Sequence, residues 1–246
     1  MAQPTKKVLV TGSSGYVGNY LLKAIARANP EVQVMGMSRR GGARGDQGTE
    51  ELENVSFMAG NCLHPNTFEN KLEDVDAVVH AVGTLFGSRT NPELTQEAMN
   101  RDSCINMGRA LNQWALEKNQ TRNFVMISSA KAPVFAPSYL TTKREAEKFL
   151  FDECHNLKKT IIRPGVVVDR EHRPWSVPLA WGNDAVAYVN DHMLAHLPGH
   201  KCIDWMLPAT STQLSTIAMW TLLGIHGQNS REIFDQAEYK AYEKNI

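Results

Sequence analysis

The 246-residue sequence has no apolar run approaching the ~18–20 residues that a membrane-spanning helix needs, so no transmembrane segment is expected. It has no excess of either charge: 26 basic residues balance 26 acidic ones, which leaves no electrostatic basis for binding nucleic acid. Cysteine is scarce. Cys62, Cys104, Cys154 and Cys202 are scattered without a CxxC pair, which argues for reduced thiols over a disulfide frame or metal ligands. The leader MAQPTKK is too short for a signal or transit peptide, so organelle import would need a presequence already removed or an internal signal. There is no internal repeat. What is present is a hydrophobic fraction of 42%, enough for the core of one large domain.

The rest of the chain is organised around residues 8–18, VLVTGSSGYVG. Val8, Leu9 and Val10 make a short apolar run that suits a buried parallel strand. Gly12, Gly15 and Gly18 follow at three-residue spacing, and Val17, Leu21, Leu22 and Ile25 then recur at helical period. The turn therefore opens directly into a helix, whose N-terminus presents free N–H groups and a partial positive charge to a pyrophosphate. Thr11, Gly12, Ser14, Gly15, Tyr16, Val17 and Gly18 form the candidate cradle. The spacing is a GxxGxxG variant of the dinucleotide fingerprint, and an ordinary turn is the alternative.

Strand-like and helix-like segments alternate through the first two thirds, the signature of an α/β fold with a Rossmann-type doubly wound parallel sheet. The expected strands are 8–10, 32–37, 55–59, 77–80, 123–127 and 159–163. The expected helices are 17–28, 66–73, 93–118 and 138–156. The whole chain, 1–246, reads as one nucleotide-binding domain, with residues ~166–210 as a small C-terminal lobe on the substrate side of the sheet.

The second strand runs into Met37-Ser38-Arg39-Arg40. An NAD-binding unit would carry an acid here for the ribose hydroxyls; two arginines suit a ribose phosphate instead. This favours NADP(H) over NAD(H), against a solvated basic loop as the alternative. The fourth strand ends in His80-Ala81-Val82-Gly83, whose small residues let a nucleotide lie against the backbone. His80 reads as a satisfied buried histidine in preference to a catalytic one. Of Asn100 and Asn106, one is a candidate to bond neighbouring backbone and position a lysine, although surface polarity explains either.

Tyr139 and Lys143 lie four residues apart and share one face of a helix. A nearby ammonium would lower the phenol pKa toward the range of an acid/base catalyst. Ser128 and Ser129, at the end of the preceding strand, are candidate donors to a substrate carbonyl.

With TGSSGYVG, VDAVVHAVG, FVMISS before SYLTTKREAE, and TIIRPG in this order over residues 7–165, the chain resembles the extended and atypical branch of the short-chain dehydrogenase/reductase superfamily. The resemblance implies an NAD(P)-dependent oxidoreductase in which Tyr139 is the acid/base, Lys143 binds the nicotinamide ribose and Ser129 orients substrate. Arg163, Pro164 and Gly165 would then follow the sixth strand near the nicotinamide. Three departures accompany it. Asn61 and Cys62 replace the family's aspartate near the adenine, Ala130 competes with Ser129 for the active-site hydroxyl position, and the interval from serine to tyrosine is short.

VVHAVGTLFG, SSAKAPVFAPSYLTTKREAE, IIRPGVVVDREHRPW and PATSTQLSTIAM further resemble the fungal dehydrogenase-like proteins associated with coenzyme Q biosynthesis. A related group is the nucleotide-binding accessory subunits of respiratory complex I. These resemblances imply a protein of the mitochondrial matrix or inner-membrane periphery, with a quinone-like substrate and a mitochondrial complex as partner. A non-catalytic NADPH-binding accessory or assembly subunit is the second implied role.

In the C-terminal third, His192, His196 and His200 sit at four-residue spacing, but Pro198-Gly199 should end the helix before the third and no HExxH glutamate is present. No metal site is expected. Trp181, Ala185, Val189, Met193 and Leu197 read as a core-packing stripe, and Trp175 and Trp205 as walls of an apolar pocket. Residues 210–224 suit a capped helix. The tail REIFDQAEYKAYEKNI reads as a solvated end.

Overall fold

The computed structural model describes residues 6–42, 52–130, 136–165 and 233–235. Its first strand, β1 (Lys7–Thr11), is buried from Val8 onward, and alternation decides which face each residue serves. Val8 and Val10 pack on one side of the sheet and Leu9 on the other. Helix α1 (Tyr16–Ala28) follows the glycine turn and buries Leu21, Leu22, Ile25 and Ala26 on the Val8 side. Fully burying one such leucine stabilises by about 1.5–3 kcal/mol, so this stripe fixes how the helix lies on the sheet. The helix stops at Asn29. There the Asn54 amide donates to three carbonyls at the turn, those of Ala26 (3.0 Å), Asn29 (3.2 Å) and Val32 (2.9 Å).

The chain continues through β2 (Gln33–Ser38), β3 (Val55–Ala59) and β4 (Ala77–His80). A π-helical turn, Glu97–Asp102, then leads into α2 (Ser103–Glu117) and β5 (Arg122–Ile127). Helix α3 (Pro137–Glu153), β6 (Leu157–Arg163) and β7 (Ile233–Asp235) complete the described elements. Helices α2 and α3 cover the Leu9 face, packing Met107, Leu111, Ala146 and Leu150 against Val78, Phe124 and Met126.

The strands form one sheet in the order β3-β2-β1-β4-β5-β6-β7, every pair parallel. Val10 stands opposite Gly36 on one side and Val79 on the other. The chain steps outward from β1 to β3 and then crosses back to β4, so the reversal falls between β1 and β4. A crevice opens at their carboxyl ends, the place where such sheets bind ligands. Among the described residues no helix is long and apolar enough to cross a membrane.

All six expected strands are present. Three other expectations are corrected. The helix expected over 66–73 is two short 3-10 turns, Pro65–Thr67 and Glu69–Lys71, anchored by Phe68 and Leu72 in the core. The helix expected over 93–118 is interrupted: a 3-10 turn (Pro92–Leu94) and the π-helical turn precede α2. The tail is not wholly a solvated end, because Ile233 and Phe234 pair with Ile161 and Ile162 and extend the sheet by a strand. The lobe expected over 166–210, the three histidines, the tryptophan stripe and pocket, the 210–224 helix and Cys202 lie outside the described residues.

Candidate active site

At the reversal the backbone itself is the wall. Gly12 has φ +73°, and a Cβ there would meet the Ala81 carbonyl oxygen at 2.9 Å. At Gly18 a Cβ would lie 2.2 Å from the Gly12 carbonyl oxygen, so the helix can approach its own turn only with glycine at that position. Gly15 caps α1 without a side-chain hydrogen bond, and no acid occupies the first turn, so the helix N-terminus is electrostatically open to an anion.

A groove of about 200 Å³ runs along this turn. Gly12, Ser14 and Gly15 line one side, Ser38 and Arg39 the end of β2, Asn61 and Cys62 the end of β3, and Ala81, Val82 and Gly83 the end of β4. Met99 and Ser103 complete it. Thr11 is buried at the end of β1, Tyr16 and Val17 are half-buried in the first turn of α1, and Arg40 is exposed beside Arg39 without lining the groove. The Ser38 hydroxyl is buried and makes no hydrogen bond among the described residues. An orphaned hydroxyl beside an arginine, at the end of the second strand, fits the ribose end of a dinucleotide.

The strand ends are tied together beneath the groove. His80 is fully buried, with Nδ1 2.9 Å from Thr11 Oγ1 and Nε2 3.3 Å from Ser103 Oγ. Ser103 Oγ donates to the Met99 carbonyl at 2.7 Å, so its proton is committed. His80 must then donate from Nε2 and accept at Nδ1 from Thr11. Burial, reinforced by the Lys143 charge, pulls the His80 pKa down to about 3, which keeps the ring neutral. This is the satisfied histidine expected from the sequence. The Cys62 thiol is also neutral, pushed up to about 12 by burial and partly opposed by a hydrogen bond to Thr11. Asn61 turns inward on its own loop, where Oδ1 accepts from the Leu63 N–H at 3.1 Å.

Both asparagines hold backbone. Asn100 brackets Thr84, accepting from its N–H at 2.8 Å and donating to its carbonyl at 2.9 Å. Asn106 donates to the carbonyls of Cys62 (3.1 Å) and Leu63 (3.4 Å).

Along α3, Tyr139 is hydrogen-bonded to the Ser129 side chain. Lys143, one turn further, is buried, and its Nζ donates to the Val82 and Ile127 carbonyls, each at 3.1 Å. Burial draws its pKa down to about 8, against the opposing pull of Cys104 and Glu147. The expectation that Lys143 lowers the Tyr139 pKa is corrected. Burial raises the phenol and only the Ser129 hydrogen bond opposes it, while Lys143 directs its charge at two carbonyls.

Ser128 and Arg163 are engaged elsewhere. The Ser128 hydroxyl donates to the Glu147 carboxylate, and Arg163 reaches the same group from Nη2 (2.5 Å) and Nε (3.2 Å). The Pro164 carbonyl accepts from the Ala130 N–H at 2.8 Å, which joins the ends of β5 and β6, and Gly165 follows. The sequence reading missed Glu147 and Arg144. In KREAE, Glu147 stands four residues beyond Lys143 and eight beyond Tyr139 on the same helical face, but that spacing alone does not set it apart from a solvated residue.

A glycine-walled crevice at the β1/β4 reversal of a parallel sheet, backed by a buried lysine that bonds the Val82 carbonyl in its wall, defines a nicotinamide-nucleotide-linked oxidoreductase fold. The profile of the NAD dependent epimerase/dehydratase family matches residues 8–149, and the chain belongs to that family. In Saccharomyces cerevisiae, MIOREX complex component 2 is 25% identical over 250 residues, covering 84% of this chain and 89% of its own length. Solved short-chain dehydrogenases share the fold. A protein from Sinorhizobium meliloti assigned as a short-chain alcohol dehydrogenase superposes with a TM-score of 0.69 at 14% identity, covering 98% of both chains. A second, from Agrobacterium tumefaciens, is assigned as a 2-deoxy-d-gluconate 3-dehydrogenase and was solved with bound NADP. It has a TM-score of 0.60 at 18% identity, covering 97% of this chain and 92% of its own.

Proposed function

We propose that the chain is an NADP(H)-binding oxidoreductase of the atypical short-chain dehydrogenase/reductase type that acts in mitochondria on a small quinone-like substrate. The observation that carries the chemistry is that Tyr139, which interacts with the Ser129 side chain, lies one helical turn from the buried Lys143, whose Nζ donates to the Val82 carbonyl in the groove wall. When bound, the nicotinamide supplies or accepts the hydride. In the reductive direction Tyr139 gives a proton to the substrate oxygen. Burial raises its pKa, so the phenol is protonated at neutral pH and available as the donor, and the Ser129 interaction opposes the rise. Ser129 orients the phenol and the carbonyl. Lys143 would bind the nicotinamide ribose; with its pKa drawn down to about 8 it still carries its charge at neutral pH.

The glycine cradle with Ser14, Tyr16 and Val17 would take the pyrophosphate, Ser38, Arg39 and Arg40 the ribose phosphate, and Asn61 and Cys62 the adenine side. Ala81, Val82 and Gly83 would back the nicotinamide half, and Pro164 and Gly165, which follow β6, are proposed to approach it. The preference for NADP(H) over NAD(H) is supported by the absence of an acid over 38–40 and by Arg39 in the groove wall. The mitochondrial setting and the link to coenzyme Q biosynthesis are supported by the resemblance of SSAKAPVFAPSYLTTKREAE and PATSTQLSTIAM to the fungal proteins.

A second reading is a non-catalytic NADPH-binding accessory or assembly subunit. It is favoured by the yeast relative's name as a complex component and by the fastening of Lys143 to two carbonyls. One experiment separates the two: identify by mass spectrometry the nucleotide released on denaturing the purified protein, then repeat after dialysis against excess NADP⁺. Ready exchange, together with turnover that Tyr139→Phe abolishes while nucleotide is retained, supports the enzyme. Stoichiometric nucleotide that does not exchange, with assembly indifferent to Tyr139→Phe, supports the subunit. Released NAD(H) would overturn the roles given to Arg39 and Arg40.

A further inference from the structure

Glu147 is a buried carboxylate beside the reactive pair that the chemistry above leaves unused. Its side chain is 5% exposed, and it sits on α3 one turn beyond Lys143 and two beyond Tyr139. Four hydrogen-bond donors converge on it: the Ser128 hydroxyl, Arg144 Nη1, and Arg163 through Nε and Nη2. Arg144 does more than neutralise charge. Its Nη2 donates to the Ser129 carbonyl at 2.9 Å, and its Nη1 also lies 3.3 Å from the Ser128 hydroxyl. Both serines at the carboxyl end of β5 are thus tied to α3, Ser128 by the carboxylate and Ser129 by Arg144, which the carboxylate holds in place, while Arg163 ties in the end of β6.

We propose that Glu147 is a positioning residue: by clamping Ser128 directly and Ser129 through Arg144, it holds the Ser129 hydroxyl against Tyr139. The proposal rests on the reading of Ser129 and Tyr139 as the reactive pair. The topology makes the clamp necessary. Tyr139 belongs to a helix and Ser129 to the segment leaving a strand, so no shared backbone hydrogen-bond ladder fixes their separation. Residues whose positions must hold to fractions of an ångström need a supporting layer that is itself locked. A carboxylate with two guanidinium partners supplies it, since each partner fixes the orientation of the others.

The test is the ¹³Cζ resonance of Tyr139 in the full-length protein labelled at tyrosine, a signal that reports hydrogen bonding at the phenol without requiring turnover. The chain has six tyrosines, and Tyr139→Phe identifies the resonance. Ser129→Ala sets the displacement that follows loss of the pair. The expected result is that Glu147→Gln moves the Tyr139 resonance at least halfway toward its Ser129→Ala position, while the resonances of the other tyrosines stay put. Because removing one member of a buried ion cluster can prevent folding, Arg144→Met is the second variant. It deletes the contact to Ser129 from a side chain that is 32% exposed and leaves Glu147 paired with Arg163, and it is expected to move the resonance in the same direction. A lowered unfolding midpoint with an unmoved Tyr139 resonance in both variants would overturn the positioning role and leave the pair standing. An unmoved resonance in Ser129→Ala itself would overturn both the pair and the clamp.

Discussion

Burial disfavours the charged forms of Lys143 and His80, and each makes stability depend on pH in its own window. The Lys143 pKa falls from 10.5 in the unfolded chain to about 8 in the folded one. Between these values the unfolded state binds the extra proton, so the Lys143 contribution to stability rises with pH. The buried thiols Cys62, Cys104 and Cys154 are raised instead and act in the opposite sense at alkaline pH. The clean quantity is therefore the difference between wild type and Lys143→Met. That difference should shift by about 2 kcal/mol toward the wild type between pH 7.5 and 9.5, as measured by urea unfolding. For His80 the folded value is about 3 against 6.5 unfolded, so stability falls as pH drops through that interval. Relative to His80→Asn, the wild type is expected to lose about 2–3 kcal/mol between pH 7 and 4.5. Parallel pH profiles for either pair would contradict the burial argument.

At the scale of elements, the π-helical turn ahead of α2 is the feature most specific to the site. The Ser103 N–H reaches back to the Ala98 carbonyl, and the Ser103 hydroxyl takes up the Met99 carbonyl that this wider turn leaves over. The same hydroxyl receives His80, so one side chain joins α2 to β4 beside the groove. Ser103→Ala leaves a carbonyl and a ring N–H without these partners and should destabilise by roughly 2–3 kcal/mol in urea unfolding. It should also weaken nucleotide binding, because Met99 and Ser103 line the groove. Unchanged stability and affinity would show that the turn holds without this bond.

Helical periodicity made α1 legible, and the short apolar runs marked six of the strands. The break before α2 was not legible, because a π-helical turn has no compositional signal of its own. Strand β7 lay hidden in a charged tail, since IFD is apolar for only two residues and gains strand character from the edge of β6. At the site, the glycines, Tyr139 and Lys143 could be read from local spacing. Glu147 could not, because KREAE looks like a solvated face until β5 and β6 bring Ser128 and Arg163 to it.

At the scale of the molecule, the parallel sheet that the described residues form, with its reversal between β1 and β4, gathers residues from Thr11 to Arg163 at one edge, although they are spread over most of the described chain. Membership of the NAD dependent epimerase/dehydratase family and the shared fold of short-chain dehydrogenases agree with that edge as the nucleotide site. The central claim is that this groove takes a nicotinamide dinucleotide and prefers the phosphorylated form. The most direct test is calorimetric titration of the protein, stripped of any co-purified nucleotide, with NADPH and with NADH, in the wild type and in Arg39→Glu. NADPH is expected to bind at least about tenfold more tightly than NADH, the scale of one charge-assisted contact, and Arg39→Glu to erase that margin. Equal or tighter binding of NADH by the wild type would contradict the assignment of Ser38, Arg39 and Arg40. Failure of both nucleotides to bind would contradict the central claim itself.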